Sequence, residues 1–191
     1  VMDFLVNKDT QILRYGSRML LNMLQATSEE DEDFRSMAVE RMAIVSDSDE
    51  EVSRLTILCL CLASQSEACR AVIVRSGILH SIDAYAIFRD PQLSYAYLTM
   101  FGNIAQNPVM RVRLLDHSSV DKFDEMSCTS DIRILLPLAK AMYYVSCSQE
   151  NIVFLSEGDD TSTHDVLQIV VRLLEKADPS VMEDIHLYVS A

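Results

Sequence analysis

Helix-opening aspartate or serine residues recur along this chain at a nearly constant interval, and that recurrence limits the fold more than any other feature. The starts are Asp9-Thr10-Gln11-Ile12, Asp49-Glu50-Glu51-Val52, Asp90-Pro91-Gln92-Leu93, Ser130-Asp131-Ile132 and Asp178-Pro179-Ser180-Val181, spaced by 40, 41, 40 and 48 residues. An Asp or Ser side chain accepts a bond from an amide that has no partner within the helix. Proline in the first turn loses nothing, because its missing N–H had no acceptor there. The acidic residues that follow suit the positive end of the helix dipole.

A long amphipathic helix follows each start. In Leu93–Gln106 the residues Leu93, Ala96, Tyr97, Met100, Phe101, Ile104 and Ala105 recur at the three-to-four spacing of one buried stripe, and Ile12–Leu24, Val52–Ala63 and Ile132–Val145 repeat it. Shorter helices are expected behind them: Phe34–Val45, Ala68–Arg75, Ile78–Phe88, Val109–Leu115, Val120–Met126, Asn151–Ser156 and Asp165–Leu174. At Ser76-Gly77 the glycine can take the left-handed conformation that ends a helix. A unit of about 40 residues cannot bury its apolar face alone and must stack on its neighbours. The expected architecture is therefore all-α, a right-handed α-solenoid of about four three-helix repeats forming one domain over residues 1–191. Its long third helices fall near 10–25, 50–63, 91–106, 130–146 and 178–190.

Composition agrees. Of 191 residues 49% are apolar, while only 4 Gly and 4 Pro are present, too few for the turns of an all-β domain. With 16 Lys and Arg against 29 Asp and Glu the net charge is −13, which counts against nucleic acid as a partner. The richest apolar stretch, Leu55–Ala63, is far short of the ~20 residues a membrane span needs. Five cysteines show no disulfide spacing, and Cys59, Cys61 and Cys147 lie in apolar helical patterns. Buried free thiols and a cytoplasmic setting, nuclear access included, are the expectation. The ten methionines, at helical spacing, read as core filler. Scattered histidines, the absence of a glycine-rich phosphate loop and the lack of metal-ligand spacing give no catalytic constellation, so no enzyme activity, cofactor or metal is expected.

Leu98-Thr99-Met100-Phe101-Gly102-Asn103-Ile104-Ala105 resembles the third-helix signature of the armadillo repeat, and Arg70–Ile82, with Gly77-Ile78 inside it, resembles that repeat's passage from first to second helix. Arg18–Leu24 is similar again. The resemblance implies third helices lining a concave groove in which an asparagine ladder holds an extended peptide. Its ladder positions would be Asn22, Cys61, Asn103 and Tyr144, with Arg18, Ile57, Thr99 and Lys140 four residues earlier. Tyr15, Arg54, Ala96 and Pro137 would lie one turn earlier still. These groove positions include no carboxylate, which makes the expected groove neutral to basic inside an acidic shell. Asn103 either faces the peptide or satisfies a neighbouring helix end, and Tyr15 and Tyr144 are the tyrosines expected to be exposed. With no tryptophan, the chain departs from the nuclear-import adaptors of the family.

The resemblance implies a scaffold that binds a protein or peptide segment. The alternatives are a regulatory or chaperone-type domain, as in formin autoinhibition or myosin-client binding, and a structural spacer. Both ends, Val1–Val6 and Met182–Val189, carry apolar faces. A longer parent chain, or self-association through exposed terminal repeats, is expected from them.

Overall fold

The structure, a computed structural model, describes residues 2–27, 31–45, 49–82, 84–112, 114–156 and 166–176. Among these every regular element is a helix, and the chain divides into two compact units, Val1–Asn103 and Ile104–Ala191. The helix expected at 178–190 lies outside the described residues.

The first unit opens with a 3-10 turn, Met2–Val6, followed by α1 (Thr10–Ala26), α2 (Glu32–Val45), α3 (Glu50–Ala63), α4 (Glu67–Ser76), α5 (Ile78–Ser81), α6 (Ala84–Arg89) and most of α7 (Pro91–Ala105). The starts are capped as their residue types suggest. Asp9 accepts the amides of Gln11 at 2.8 Å and Ile12 at 3.4 Å, Asp49 accepts that of Glu51 at 3.1 Å, and Asp90 that of Gln92 at 2.9 Å. Gly77 ends α4 at φ 70°, in the left-handed region that glycine alone enters without strain. The 3-10 turn seats directly on α1: a Cβ at Gly16 would lie 3.1 Å from Phe4 Cβ.

Packing in this unit repeats itself. α1 lies on α3, and α2 on both α3 and α4. Leu13, Leu20 and Leu24 of α1 meet Ala38, Met42 and Val45 of α2 and Val52 and Cys59 of α3 in one core. Polar bonds at both ends fix the direction of the long helices. Near the starts, Arg14 of α1 reaches Asp49 at 2.7 Å, and Arg54 of α3 reaches Asp90 at 3.3 Å. At the other end Arg35, only 2% exposed, donates to the carbonyls of Leu24 (3.4 Å) and Thr27 (3.1 Å) beside α1 and of Leu62 (3.0 Å) on α3. Asn103 of α7 donates to the Ser64 hydroxyl just past α3, at 3.0 Å. With starts joined to starts and ends to ends, α1, α3 and α7 run parallel.

The second unit contains α8 (Pro108–Arg111), α9 (His117–Ser127), α10 (Ile132–Ser146), α11 (Gln149–Ser156) and α12 (Val166–Lys176). α10 packs on α9, α11 and α12, and α12 also covers α9. Basic and amide groups again close helix C-termini, where unpaired carbonyls carry the negative end of the dipole. Lys176 bonds the carbonyls of Ser127, Cys128 and Thr129 at 3.0, 2.6 and 3.1 Å, and Asn151 bonds that of Val145 at 3.1 Å. Arg172 pairs with Asp124 at 2.7 Å.

The long helices stand within two residues of the expected bounds, and three details differ. The fourth start is capped by Asp131, which accepts the Arg133 amide at 2.9 Å, and not by Ser130. The stretch expected as one helix over Ile78–Phe88 breaks at Ile82, whose extended backbone (φ −63°, ψ 120°) caps α5. The helix expected at Val109–Leu115 is the single turn Pro108–Arg111.

Replacing Arg35 by Met should lower the unfolding free energy by about 3 kcal/mol, because three carbonyls lose a charged donor in a buried place. Arg35→Lys should recover only part of this in urea titrations, since the Leu62 carbonyl is met by Nη1 and those of Leu24 and Thr27 by Nη2, and a single ammonium nitrogen does not reproduce that fork.

Candidate functional site

The bonds that align the helices also define the open face of the first unit. Arg14 and Arg18, one turn apart on α1, reach the first turn of α3. Arg14 Nε and Nη2 donate to the two Asp49 oxygens at 2.7 Å each, and Arg18 Nη2 donates to Glu51 Oε1 at 3.0 Å. Arg54 repeats the arrangement one helix on, bonding Asp90 at 3.3 Å and Gln92 Oε1 at 3.3 Å. Arg14, Arg18, Asp49, Glu50, Glu51 and Arg54 together line an open cleft of about 340 Å³. The hydrogen bond from Arg14 holds the Asp49 carboxyl below the usual aspartate range against the opposing effect of desolvation, and the Arg14 guanidinium is raised in return.

Of the twelve expected groove positions, nine belong to the first unit, and one of these, Ala96, is 4% exposed and belongs to the core. Tyr15 is 64% exposed, and Arg18 and Asn22 are exposed beside it, so α1 presents all three to solvent. Arg54 is half-buried at the cleft. Ile57 is 1% exposed and belongs to the core, so it lines no open face. Cys61 is half-buried, and burial pushes its thiol up to about 11. Thr99 is half-buried, and so is Asn103, whose amide nitrogen is committed to Ser64. That bond supports a helix end: Ser64 caps α3 and donates in turn to the Cys61 carbonyl at 2.7 Å. In the second unit Lys140 is half-buried, as is Tyr144, whose ring centroid lies 5.2 Å from that of Tyr143.

The caps explain why some candidates are misplaced. Asn22 and Asn103 both stand thirteen residues past their capping aspartates, Asp9 and Asp90. The residue thirteen past Asp49 is Leu62, and the residue nine past it is Leu58, so Cys61 and Ile57 are each one position early. One residue is about 100° of helix rotation, enough to carry a groove position into the core. Arg54 correspondingly matches Arg14, five past its cap, and not Tyr15.

The expected carboxylate-free groove is also corrected. Asp49, Glu51 and Asp90 sit in first turns, as the sequence implies, but those turns abut the arginines of the preceding long helix. Sequence reasoning missed Arg14 altogether, although its signal was present in an arginine five residues past the Asp9 cap. It also misjudged side chains read as core: Met19, Met23 and Met37 are exposed, and so is Cys147. Among the described residues no group of three or more His, Cys, Asp or Glu is placed to hold a metal ion, and no helix is long and apolar enough to cross a membrane.

Comparison of the chain with models of known protein families, with curated proteins and with solved structures returns no match.

Two measurements check this electrostatic picture. Because the Asp49 value is depressed on folding, its contribution to stability is whole above the unfolded-state value near ~4 and is lost as pH falls through the folded value. Asp49→Asn, which keeps a capping side chain, should therefore flatten the loss of melting temperature in acid. Separately, burial raises the thiols of Cys59 to about 12 and Cys61 to about 11, and Cys69 is buried, whereas Cys128 and Cys147 are exposed. A disulfide reagent at pH 8 should label Cys128 and Cys147 quickly and the other three only on unfolding.

Proposed function

We propose that this chain is a non-enzymatic protein–protein interaction module of armadillo-like repeats that takes a partner segment along the open face of its long helices. The observation that carries the reading is the parallel setting of α1, α3 and α7, with Tyr15, Arg18 and Asn22 exposed along α1 and an open cleft beside them. Tyr supplies a large contact area at low entropic cost. An asparagine amide can pair with main chain of any sequence. Arg18 is held by one 3.0 Å bond to Glu51, and an acidic group on the partner could share it. Most of the other basic side chains described above are spent on helix ends. That supports a protein partner over nucleic acid, whose phosphates need a row of open cations.

Peptides selected from a displayed library against the chain should lose about tenfold in affinity for the Asn22→Ala, Arg18→Glu double variant. Unchanged affinity would move the site away from α1.

A chaperone-type reading draws on a different observation, the exposure of Met19, Met23 and Met37, since methionine adapts to varied apolar segments. In that case the chain should suppress heat aggregation of an unrelated unfolding protein.

A further inference from the structure

Three arginines border the cleft at α1 and the start of α3, and they are not equally occupied. Arg14 gives both Nε and Nη2 to Asp49, each at 2.7 Å, the paired geometry that suits a planar guanidinium. Arg54 gives Nε to Asp90 and Nη2 to Gln92, each at 3.3 Å. Arg18 gives only Nη2, to Glu51 Oε1 at 3.0 Å, and among the described residues its Nε and Nη1 bond nothing. Its side chain is also the most exposed of the three, at 58% against 37% for Arg14 and 35% for Arg54. One guanidinium of the cleft therefore has an unfilled fork.

The acceptors differ as well. Asp49 holds the Glu51 amide and Asp90 the Gln92 amide, so each is fixed at the start of a helix in addition to its arginine. The Glu51 carboxylate has no such second duty: among the described residues Arg18 is its one side-chain partner. A Glu51 side chain turned to solvent would still sit in the first turn of α3, where the helix dipole favours an acid. An exposed ion pair held by a single bond is also a weak one. Of the arginine-bound carboxylates in the cleft, Glu51 is the one that can leave without loosening a cap.

We propose that Glu51 is an internal stand-in for a carboxylate of the partner segment: on binding, an Asp or Glu side chain of the partner takes the Arg18 fork through two bonds, and Glu51 turns outward. This exchange rests on the reading that the segment lies along α1 beside Tyr15, Arg18 and Asn22, and it names the chemistry that the segment carries. Glu51 then sets specificity, because a neutral segment gains nothing at Arg18 by displacing it. A carboxylate suits the cleft better than a phosphate does. Arg14, Arg18 and Arg54 balance Asp49, Glu50 and Glu51, so an incoming carboxylate adds one negative charge that the outward turn of Glu51 offsets. A phosphate adds about two, and it would still face Asp49, which Arg14 holds in place.

Peptides selected from a displayed library against the wild-type chain are the probe, each made in its acidic form, with the acid replaced by its amide, and with phosphoserine in its place. The acidic form should bind about fivefold tighter than the amide form. Glu51→Gln, which keeps the Asp49 cap, should tighten the acidic peptide about two- to fivefold, and the amide form by less. In the Arg18→Gln background that gain should vanish. Glu50→Gln removes the same charge from the cleft but no bond to Arg18, and should produce little of it. A gain that persists without Arg18, or that Glu50→Gln matches, would overturn the proposal, for it would then be a general effect of charge. So would selected peptides with no required acid, or a phosphoserine form that binds tighter than the acidic one. Asn22→Ala separates this result from the reading beneath it. Peptides weakened by Asn22→Ala but indifferent to Glu51→Gln keep the segment on α1 and remove the exchange. Peptides indifferent to Asn22→Ala and Arg18→Gln alike, or no selected peptide at all, remove both. Circular dichroism checks the fold of each variant, and if Arg18→Gln does not fold, the contrast between Glu51→Gln and Glu50→Gln decides alone.

Discussion

A single carboxylate with two obligations underlies the first unit. Asp49 closes the start of α3 and receives the Arg14 fork from α1, and Asp90 does the same for α7 and Arg54. Apolar burial holds helices together but is non-directional, so by itself it permits sliding and rotation. A hydrogen bond from a planar guanidinium to a capping carboxylate permits neither, because it ties a defined turn of one helix to the first turn of the next. With Arg35 bridging the far ends of α1 and α3, the alignment is fixed at both ends of the pair.

The far ends follow a rule of their own. Arg70 bonds the carbonyls of Ser64 and Gln65 at 2.8 and 3.0 Å, and Arg111, 41 residues on, bonds those of Ala105 and Gln106 at 3.0 and 3.1 Å. Each arginine lies five or six residues past the carbonyls it closes, so the same local loop is built twice. Acids at helix starts and bases at helix ends are what the dipole favours. Here the side chains also serve as connectors, which commits Arg14, Arg35, Arg54, Arg70 and Arg111 to bonds within the fold.

The parts of this arrangement that depend on neighbours in sequence could be read directly. Caps, the left-handed Gly77 and the apolar stripes of α1, α3, α7 and α10 are local signals, and their bounds came within two residues. Ambiguity arose where two capping types were adjacent: Ser130 and Asp131 both suit the position, and only the Arg133 amide distinguishes them. Ile82 carries no glycine or proline to announce the break it makes. The candidate face was legible on α1, where Tyr15, Arg18 and Asn22 are exposed. It was misread on α3, because the armadillo resemblance was laid on Ile57 and Cys61 without counting from the cap. Pairing over 35 residues, as between Arg14 and Asp49, depends on which helices become neighbours, and no local pattern states that.

The carboxylate ladder also shows where its own rule stops. The position five past Asp90 is Tyr95, exposed and uncharged, so α7 offers no guanidinium for a following cap. Asp131 pairs instead with Arg133, two residues on in its own helix, at 2.7 Å, and that bond holds its carboxyl below the usual range. A pair within one turn neutralises charge but carries no information about a neighbouring helix. The alignment device therefore belongs to α1, α3 and α7, the long helices of the unit that ends at Asn103.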